Sequence, residues 1–127
     1  LSRGVSVNGQ TVYNVFGIGA YDNSAVASGS QRAYEKGWTS VSSAIIGGTE
    51  WISEHYINSA DGRQNTLYKM LWNPENPGQH QYATDIEWAT HQAINIEKIF
   101  RMFPQAVKAY DVPVYSGMVP PAIDTED

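Results

Sequence analysis

Gln64-Asn-Thr-Leu-Tyr-Lys-Met-Leu-Trp-Asn-Pro-Glu-Asn-Pro-Gly-Gln-His-Gln-Tyr-Ala-Thr-Asp-Ile-Glu-Trp-Ala89 mixes aromatic residues with amides, a histidine and two prolines, and it leads into a predicted helix. The rings of Tyr68, Trp72 and Tyr82 offer large flat contact areas that keep a polar handle. Amide and hydroxyl groups beside such rings can hydrogen-bond a polyol. This chemistry favours a sugar over a phosphate or a lipid. A surface loop pinned by aromatic side chains is the alternative that composition leaves open.

The composition indicates one folded domain. The chain has 127 residues, of which 42% are hydrophobic and 17% charged, as is typical of a globular protein with a single core. The net charge is −5, and the eight lysines and arginines form no cluster, so nucleic acid is not an expected partner. No apolar run approaches the length of a membrane span, so membrane insertion is not expected. The absence of cysteine excludes disulfides and thiolate metal sites.

The first part of the chain predicts a hairpin followed by helices. Alternating residues flank Asn8-Gly9, the strongest two-residue signal for a hairpin turn. Helical spacing predicts helices over Ser30–Lys36, closed by Gly37, and over Ser40–Ile57. Gly47-Gly48 falls inside the second helix and costs roughly 1 kcal/mol per glycine relative to alanine. This pair predicts that another backbone or a ligand comes close there.

The second part predicts a polar loop, an extended aromatic segment and a final helix. The loop covers Asn58–Gln64, and the segment after it is predicted to be a short strand plus loop. Thr84 and Glu87 match a capping box, which predicts a helix start. One apolar face then follows and ends before Pro104; its members are Ile86, Ala89, Ala93, Ile96, Phe100 and Phe103. Residues 105–127 are predicted to be a Pro-rich tail or linker.

Carboxylates are the first candidates for chemistry, because cleavage of a glycosidic bond needs a carboxylic acid that protonates the leaving oxygen. The candidates are Asp22, Glu35, Glu50, Glu54, Asp61, Glu75, Asp85 and Glu87. Asp22 follows an aromatic, glycine-rich turn, where it is either a functional carboxylate or a turn residue bonded to its own backbone. Asp85 and Glu87 are expected to cap a helix, and Glu50 and Glu54 are expected to face solvent.

Other classes of chemistry lack their usual signals. His55, His80 and His91 form no metal-binding His-Glu-x-x-His pattern, and we expect neither a metal nor a cofactor. The sequence contains no Gly-x-Ser-x-Gly elbow and no phosphate-binding Gly-x-x-x-x-Gly-Lys loop, which argues against acyl transfer and nucleotide binding.

Several motifs together resemble the endo-β-N-acetylglucosaminidase domains of bacterial autolysins, a glycoside hydrolase family of the lysozyme-like superfamily. They are Tyr13-Asn-Val-Phe-Gly-Ile-Gly-Ala-Tyr-Asp22, Gly37-Trp38, Ala44-Ile-Ile-Gly-Gly48, Trp51-Ile-Ser53, Asn65-Thr-Leu-Tyr-Lys-Met70, Trp72-Asn-Pro74 and His80-Gln-Tyr-Ala-Thr-Asp85. The resemblance implies an α+β, mostly helical, lysozyme-like fold with a small β-hairpin. It implies that residues 1–104 are the C-terminal part of a glucosaminidase domain.

The resemblance also implies an activity and its residues. Such domains cleave the β-1,4 bond after N-acetylglucosamine in peptidoglycan glycan strands and are secreted to the cell wall. Asp22 and Tyr82 match positions tied to activity: Tyr82 would orient the sugar or the attacking water, and Asp22 would support charge or hold a cleft loop. The positions that match cleft-forming residues are Asn14, Phe16, Tyr68, Trp72, His80 and Gln81.

One departure from the family pattern bears on activity. The family's general acid is a glutamate in a motif just before the stretch that resembles Leu1–Val7, so we expect this chain to start after that motif and to lack the N-terminal catalytic helix. The alternative function is therefore a non-catalytic module, or an inactive fragment, that grips cell-wall glycan without hydrolysing it.

Overall fold

The computed structural model describes residues 1–60 and 62–117. These residues form one antiparallel hairpin, four α-helices and one π-helical turn. Their bounds are β1 Val5–Val7, β2 Gln10–Val12, α1 Ala25–Glu35, α2 Val41–Ile52, the π-turn Ser53–Ile57, α3 Leu67–Trp72 and α4 Trp88–Met102. The predicted α+β class, mostly helical with a small hairpin, is confirmed. No helix in this part of the chain is long and apolar enough to cross a membrane.

The hairpin forms where the sequence predicts it. Val5 pairs with Val12 and Val7 pairs with Gln10. Asn8 and Gly9 have φ values of 49° and 79°, both positive, as the central residues of a type I′ turn require. The turn therefore fixes the register that points Val12 into the core.

Helix α1 begins earlier than predicted. It starts at Ala25 rather than Ser30 and ends at Glu35, with Gly37 in the left-handed region at φ 69° as expected. The residues of its first turn are exposed, so they carry no apolar periodicity that a sequence pattern could detect.

Helix α2 and the π-turn together cover the predicted helix. Ser40 caps α2 through a capping box, in which its hydroxyl accepts from the Ser43 amide at 3.0 Å. The chain then widens into the π-turn, where the Asn58 amide donates to the Ser53 carbonyl at 2.8 Å. The wider turn directs Tyr56 inward, and only 7% of its surface stays exposed. Such insertions are frequent at functional sites.

The core lies between the hairpin, α1 and α2. Its buried members are Val12, Ile18, Ala33, Trp38 and Ala44, with Val7, Tyr13, Tyr34, Trp51 and Ile52 packed against them. The two glycines of α2 make room for aromatic side chains of this region. A Cβ at Gly47 would overlap the Trp38 indole, and one at Gly48 would lie 2.5 Å from Phe16 Cδ2. The predicted close approach exists, but its partners are side chains, whereas a backbone or a ligand was expected.

Helix α3 corrects the prediction of a short strand plus loop. The Thr66 hydroxyl accepts from the Lys69 amide at 3.2 Å, and Asn73 ends the helix in the left-handed region at φ 44°. The helix has six residues, which is too short to show a helical repeat in the sequence. Its caps, which act locally, define it instead.

Helix α4 starts later than the predicted capping box. Glu87 occupies the N-cap position without a side-chain cap, and Thr84 lies outside the helix. The Asp85 carboxylate accepts from the Glu87 amide at 3.0 Å, so an Asx-type turn takes the place of the Thr84 cap. The helix ends at Met102, before Pro104 as predicted.

The predicted apolar face of α4 is not buried within the described residues. Helix α4 has no buried residue there, and Ile86 and Phe103 are 71% and 59% exposed. Residues 105–117 form no helix or strand, but the Asp111 carboxylate pairs with Lys69 Nζ at 2.6 Å and holds this segment against α3. The candidate Asp61 and residues 118–127 of the predicted tail lie outside the described residues.

We expect Gly47→Ala to destabilise the fold by about 1–3 kcal/mol, because overpacking against the buried Trp38 ring outweighs the gain of roughly 1 kcal/mol in helix propensity. Urea unfolding measures the difference. Ser42→Ala, at an exposed position of the same helix, is the matched control and should stay within about 0.5 kcal/mol of the parent. A Gly47→Ala variant as stable as the parent would contradict the proposed role of the glycine.

Candidate functional site

A groove of about 460 Å³ separates the loop after β2 from the segment before α4. We call it the Tyr82 groove. It is lined by residues 16–22, Arg32, Trp51, Tyr56 and residues 80–84. The structure therefore brings together five of the predicted site residues, namely Phe16, Asp22, His80, Gln81 and Tyr82.

Asn14 shapes the loop on the near side of the groove. Its side chain is 2% exposed; Oδ1 accepts from the Ile18 amide at 3.0 Å, and Nδ2 donates to the carbonyls of Ile18 at 2.8 Å and Gly29 at 3.0 Å. Every polar atom of the side chain is thus committed to the fold. Asn14 is not among the residues that line the groove; it positions the loop that does line it.

The loop turns through two glycines and is anchored by Ile18. Gly17 and Gly19 have φ values of 68° and 70°, which side chains rarely adopt. Ile18 between them is 4% exposed and belongs to the core, whereas Phe16 is 36% exposed. The anchored turn leaves Asp22 exposed at the groove. Its carboxylate makes no hydrogen bond within residues 1–60 and 62–117, so the alternative of an Asx turn at Asp22 is not observed.

An aromatic cluster centred on Tyr56 builds the far side. The His80 ring stacks on Tyr56 with 4.3 Å between ring centroids and 16° between planes. Tyr82 meets Tyr56 edge-on at 5.3 Å and lies 5.1 Å from Trp88. Trp51 lies 6.0 Å from Tyr56 and also lines the groove. Offset and edge-on ring contacts of this kind add stability beyond the area that they bury.

Tyr82 connects the two sides of the groove. Its amide donates to the Met70 carbonyl at 2.9 Å, and its hydroxyl donates to the Phe16 carbonyl at 3.2 Å. Burial, with a smaller contribution from Tyr56, raises the pKa of Tyr82; burial also raises the pKa of Tyr56. Both phenols are therefore protonated at neutral pH. Because the Tyr82 hydroxyl donates its hydrogen bond to the Phe16 carbonyl, its oxygen can act toward a ligand only as a hydrogen-bond acceptor.

His80 is held in an uncommon conformation by a buried glutamine. Its φ is 50°, in the left-handed region that non-glycine residues seldom occupy. Gln64 is 3% exposed and contacts His80 twice, through the ring Nδ1 at 2.8 Å and the carbonyl at 3.1 Å. Sequence reasoning missed Gln64, because nothing in the local pattern separates it from neighbouring amides. It also missed Trp51, whose helical spacing indicated only a core residue.

The structure places Tyr68 and Trp72 outside the Tyr82 groove. Tyr68 lies in a separate cavity against residues 110–115, and Trp72, 41% exposed, does not line the groove. The reason is that this segment is helical. Residues four apart on a helix share one face, and the face that carries Tyr68 and Trp72 does not turn toward Tyr82.

Among the residues that the structure describes, no group of three or more histidine, aspartate or glutamate side chains is arranged to hold a metal ion. The charged groups that line the Tyr82 groove are one carboxylate, Asp22, and one guanidinium, Arg32.

Comparison with known proteins gives this geometry a family. No family model matches the chain. The bifunctional autolysin of Staphylococcus epidermidis is 49% identical over 107 residues, which is 84% of this chain. Staphylococcus aureus autolysin E superimposes with a TM-score of 0.70 at 46% identity over 82% of this chain, and S. aureus glucosaminidase B with 0.54 at 44% over 79%. The chain belongs to the glucosaminidase family of bacterial autolysins.

The matched region is only part of each relative. The chain spans 8% of the S. epidermidis autolysin, 45% of the autolysin E chain and 39% of glucosaminidase B. Autolysin E has been crystallised as a catalytic glutamate-to-alanine mutant with the disaccharide NAG-NAM, and with the muropeptide NAM-L-Ala-D-iGlu. The resemblance and the lysozyme-like fold that it implied are confirmed.

We expect Asn14→Asp to lower the free energy of unfolding by about 1–3 kcal/mol, because a carboxylate oxygen would face the Ile18 and Gly29 carbonyls without a proton to donate. Asn95→Asp, at an exposed position of α4, is the matched control and should change stability by less than about 0.5 kcal/mol. Denaturant unfolding compares the two variants. Equal stability of both would mean that the Asn14 amide does not hold the loop.

Proposed function

We propose that this chain forms one side of the catalytic groove of a peptidoglycan hydrolase that cleaves the β-1,4 bond after N-acetylglucosamine and acts at the cell wall after secretion. One observation carries the proposal. The Tyr82 groove combines a fixed phenol, an exposed carboxylate and stacked aromatic rings. It does so in a chain 46% identical to autolysin E, which binds NAG-NAM as a glutamate-to-alanine mutant.

The groove suits a sugar. Phe16 and Trp51 offer apolar contact to a pyranose, and Gln81, Tyr82 and Asp22 offer hydrogen bonds to hydroxyl and acetamido groups. Asp22 and Arg32 carry opposite charges, so they give the groove no net charge that would favour a polyanion. This pattern is typical of sugar sites with a few placed polar groups among apolar walls.

The proposed mechanism is cleavage by a general acid. Glycosidases ordinarily need one carboxylic acid for the leaving oxygen and a second group for water or the nucleophile. Within the described residues Asp22 is the one carboxylate that lines the groove. We therefore assign the general acid to a glutamate of the glucosaminidase domain outside the matched part, and Asp22 to support of developing charge. Tyr82 would accept a hydrogen bond from the attacking water or from the acetamido N–H.

The same observation favours one second candidate. With Asp22 as the one groove carboxylate among the described residues, this part of the domain could bind cell-wall glycan without hydrolysing it. Enzyme and binding module share the ligand and differ in turnover. Binding and hydrolysis therefore have to be measured separately.

The decisive experiment compares the chain alone with the chain fused to the part of autolysin E that it does not match. Both should bind a soluble glycan of alternating N-acetylglucosamine and N-acetylmuramic acid. Only the fusion should clear a suspension of purified cell walls, since a general acid contributes roughly 10²–10⁴-fold. Lysis by the chain alone would make Asp22 the acid. A fusion that binds glycan without lysing cell walls would contradict the hydrolase and favour the second candidate, a glycan-binding module.

In the active fusion, we expect Tyr82→Phe to lower kcat and kcat/KM together by roughly 10²-fold, because the lost oxygen acts in the transition state while the ring that stacks is kept. Steady-state kinetics on soluble glycan fragments measure both constants. Tyr34→Phe on α1 removes a hydroxyl away from the groove and should leave them unchanged. A higher KM at unchanged kcat would mean that the Tyr82 hydroxyl only connects the two sides of the groove and takes no part in the chemical step.

A further inference from the structure

Gln64 is a buried side chain whose amide is fully used in holding its neighbours. Its Nε2 donates to the carbonyls of Lys69 at 2.9 Å and His80 at 3.1 Å, and its Oε1 lies 2.8 Å from His80 Nδ1. We propose that Gln64 is a positioning residue that holds His80 in the Nδ1–H tautomer, so that His80 presents an unprotonated Nε2 to a hydrogen-bond donor of the ligand. The identity of that ligand as a glycan rests on the proposed function.

The tautomer follows from the partners of the amide. Carbonyl oxygens only accept hydrogen bonds, so the two carbonyls near Gln64 fix which end of the amide carries nitrogen. The other end, Oε1, then faces His80 Nδ1 and can only accept. His80 Nδ1 must therefore carry the proton, and the neutral ring keeps its lone pair on Nε2.

The same glutamine also fixes where the ring lies. It holds the His80 carbonyl as well as the ring, and so stabilises the left-handed backbone at φ 50°. The ring is further restrained by stacking on Tyr56 at 4.3 Å. His80 lines the Tyr82 groove, and its Nε2 has no hydrogen-bond partner within the described residues. His80 is exposed, so this oriented acceptor is open to a ligand that donates a hydrogen bond.

The matching donor is a hydroxyl or an acetamido N–H of the glycan. The titratable and charged groups that face the groove around His80 are Tyr56, Tyr82, Asp22 and Arg32. Both phenols are protonated at neutral pH, so neither competes with Nε2 by charge. A proton on Nε2 would convert the acceptor into a donor, and ligand affinity should therefore fall as the pH is lowered.

The tautomer can be measured without any ligand. Long-range ¹H–¹⁵N spectra of the parent chain should show a protonated-type Nδ1 and an unprotonated-type Nε2 for His80. Gln64→Leu should lose this pattern. Gln64→Glu still accepts from Nδ1 and should keep the pattern, but its second oxygen faces the carbonyls of Lys69 and His80 without a proton, so the variant should be less stable than the parent. His55 is the internal reference, since its Nδ1 lies 2.8 Å from the Trp51 carbonyl and does not contact Gln64. Gln105→Leu and Gln105→Glu, at an exposed position, are the matched controls.

The second measurement is affinity for a tetrasaccharide of alternating N-acetylglucosamine and N-acetylmuramic acid, as a function of pH. Gln64→Leu should bind about tenfold more weakly at neutral pH, the loss of one well-placed hydrogen bond. Gln64→Glu should lose affinity at a higher pH than the parent does, whatever its affinity at high pH. The cause is that its carboxylate favours the doubly protonated ring, and a loss of packing alone would not move this profile.

The outcomes separate the two proposals. An Nε2–H tautomer in the parent, or an unchanged tautomer in Gln64→Leu, would overturn the role of Gln64. The expected tautomers with no binding of the tetrasaccharide by the parent would overturn the glycan ligand and leave the positioning of His80 in place. Amide ¹H–¹⁵N spectra identify any variant that is unfolded, and Gln64→Glu then still tests the pH profile.

Discussion

The stacking of His80 on Tyr56 joins the two halves of the chain, and the groove depends on it. Tyr56 belongs to the π-turn that follows α2, and its carbonyl accepts from the Gln64 amide at 3.0 Å. Through Tyr56 the core of the first half therefore contacts both the backbone before α3 and the ring before α4. A regular α-helical turn would rotate Tyr56 away from this place. The π-turn interrupts the regular α-helical hydrogen bonding, and it places Tyr56 where the two sides of the groove meet.

Features of the fold that local chemistry determines could be predicted from the sequence. Asn8-Gly9 fixes a turn that few other pairs can form, and Ser40 caps α2 whatever packs against it. The failures are of a different kind. Helix α3 is too short to show periodicity, and at α4 two capping patterns overlap. Which of Thr84 and Asp85 bonds the first amides depends on the path of the chain out of the groove, and that path is set by the Tyr82 contacts.

The candidate site also has one part that the sequence could predict and another that it could not. The loop from Phe16 to Asp22 is visible in the sequence, because its glycines and aromatics serve a turn that no regular element would need. The use of Asn14 is not visible, since an amide that binds a sugar and one that binds three backbone groups look alike in sequence. Gln64 is hidden for the same reason. Burial decides between the two uses, and burial is a property of the packed chain.

Two polar groups of the groove are held in the same way. The Tyr82 hydroxyl donates a hydrogen bond to the Phe16 carbonyl, and its oxygen can still accept one. His80 Nδ1–H donates to Gln64, and Nε2 can still accept. Each group commits one atom to the protein and leaves another for the ligand. Such groups need little reorganisation when a substrate arrives, which is what favours stabilisation of a transition state over binding of the ground state. Within the described residues the groove has one carboxylate, and the proposed mechanism would use the two oriented neutral acceptors to align a water or an acetamido group.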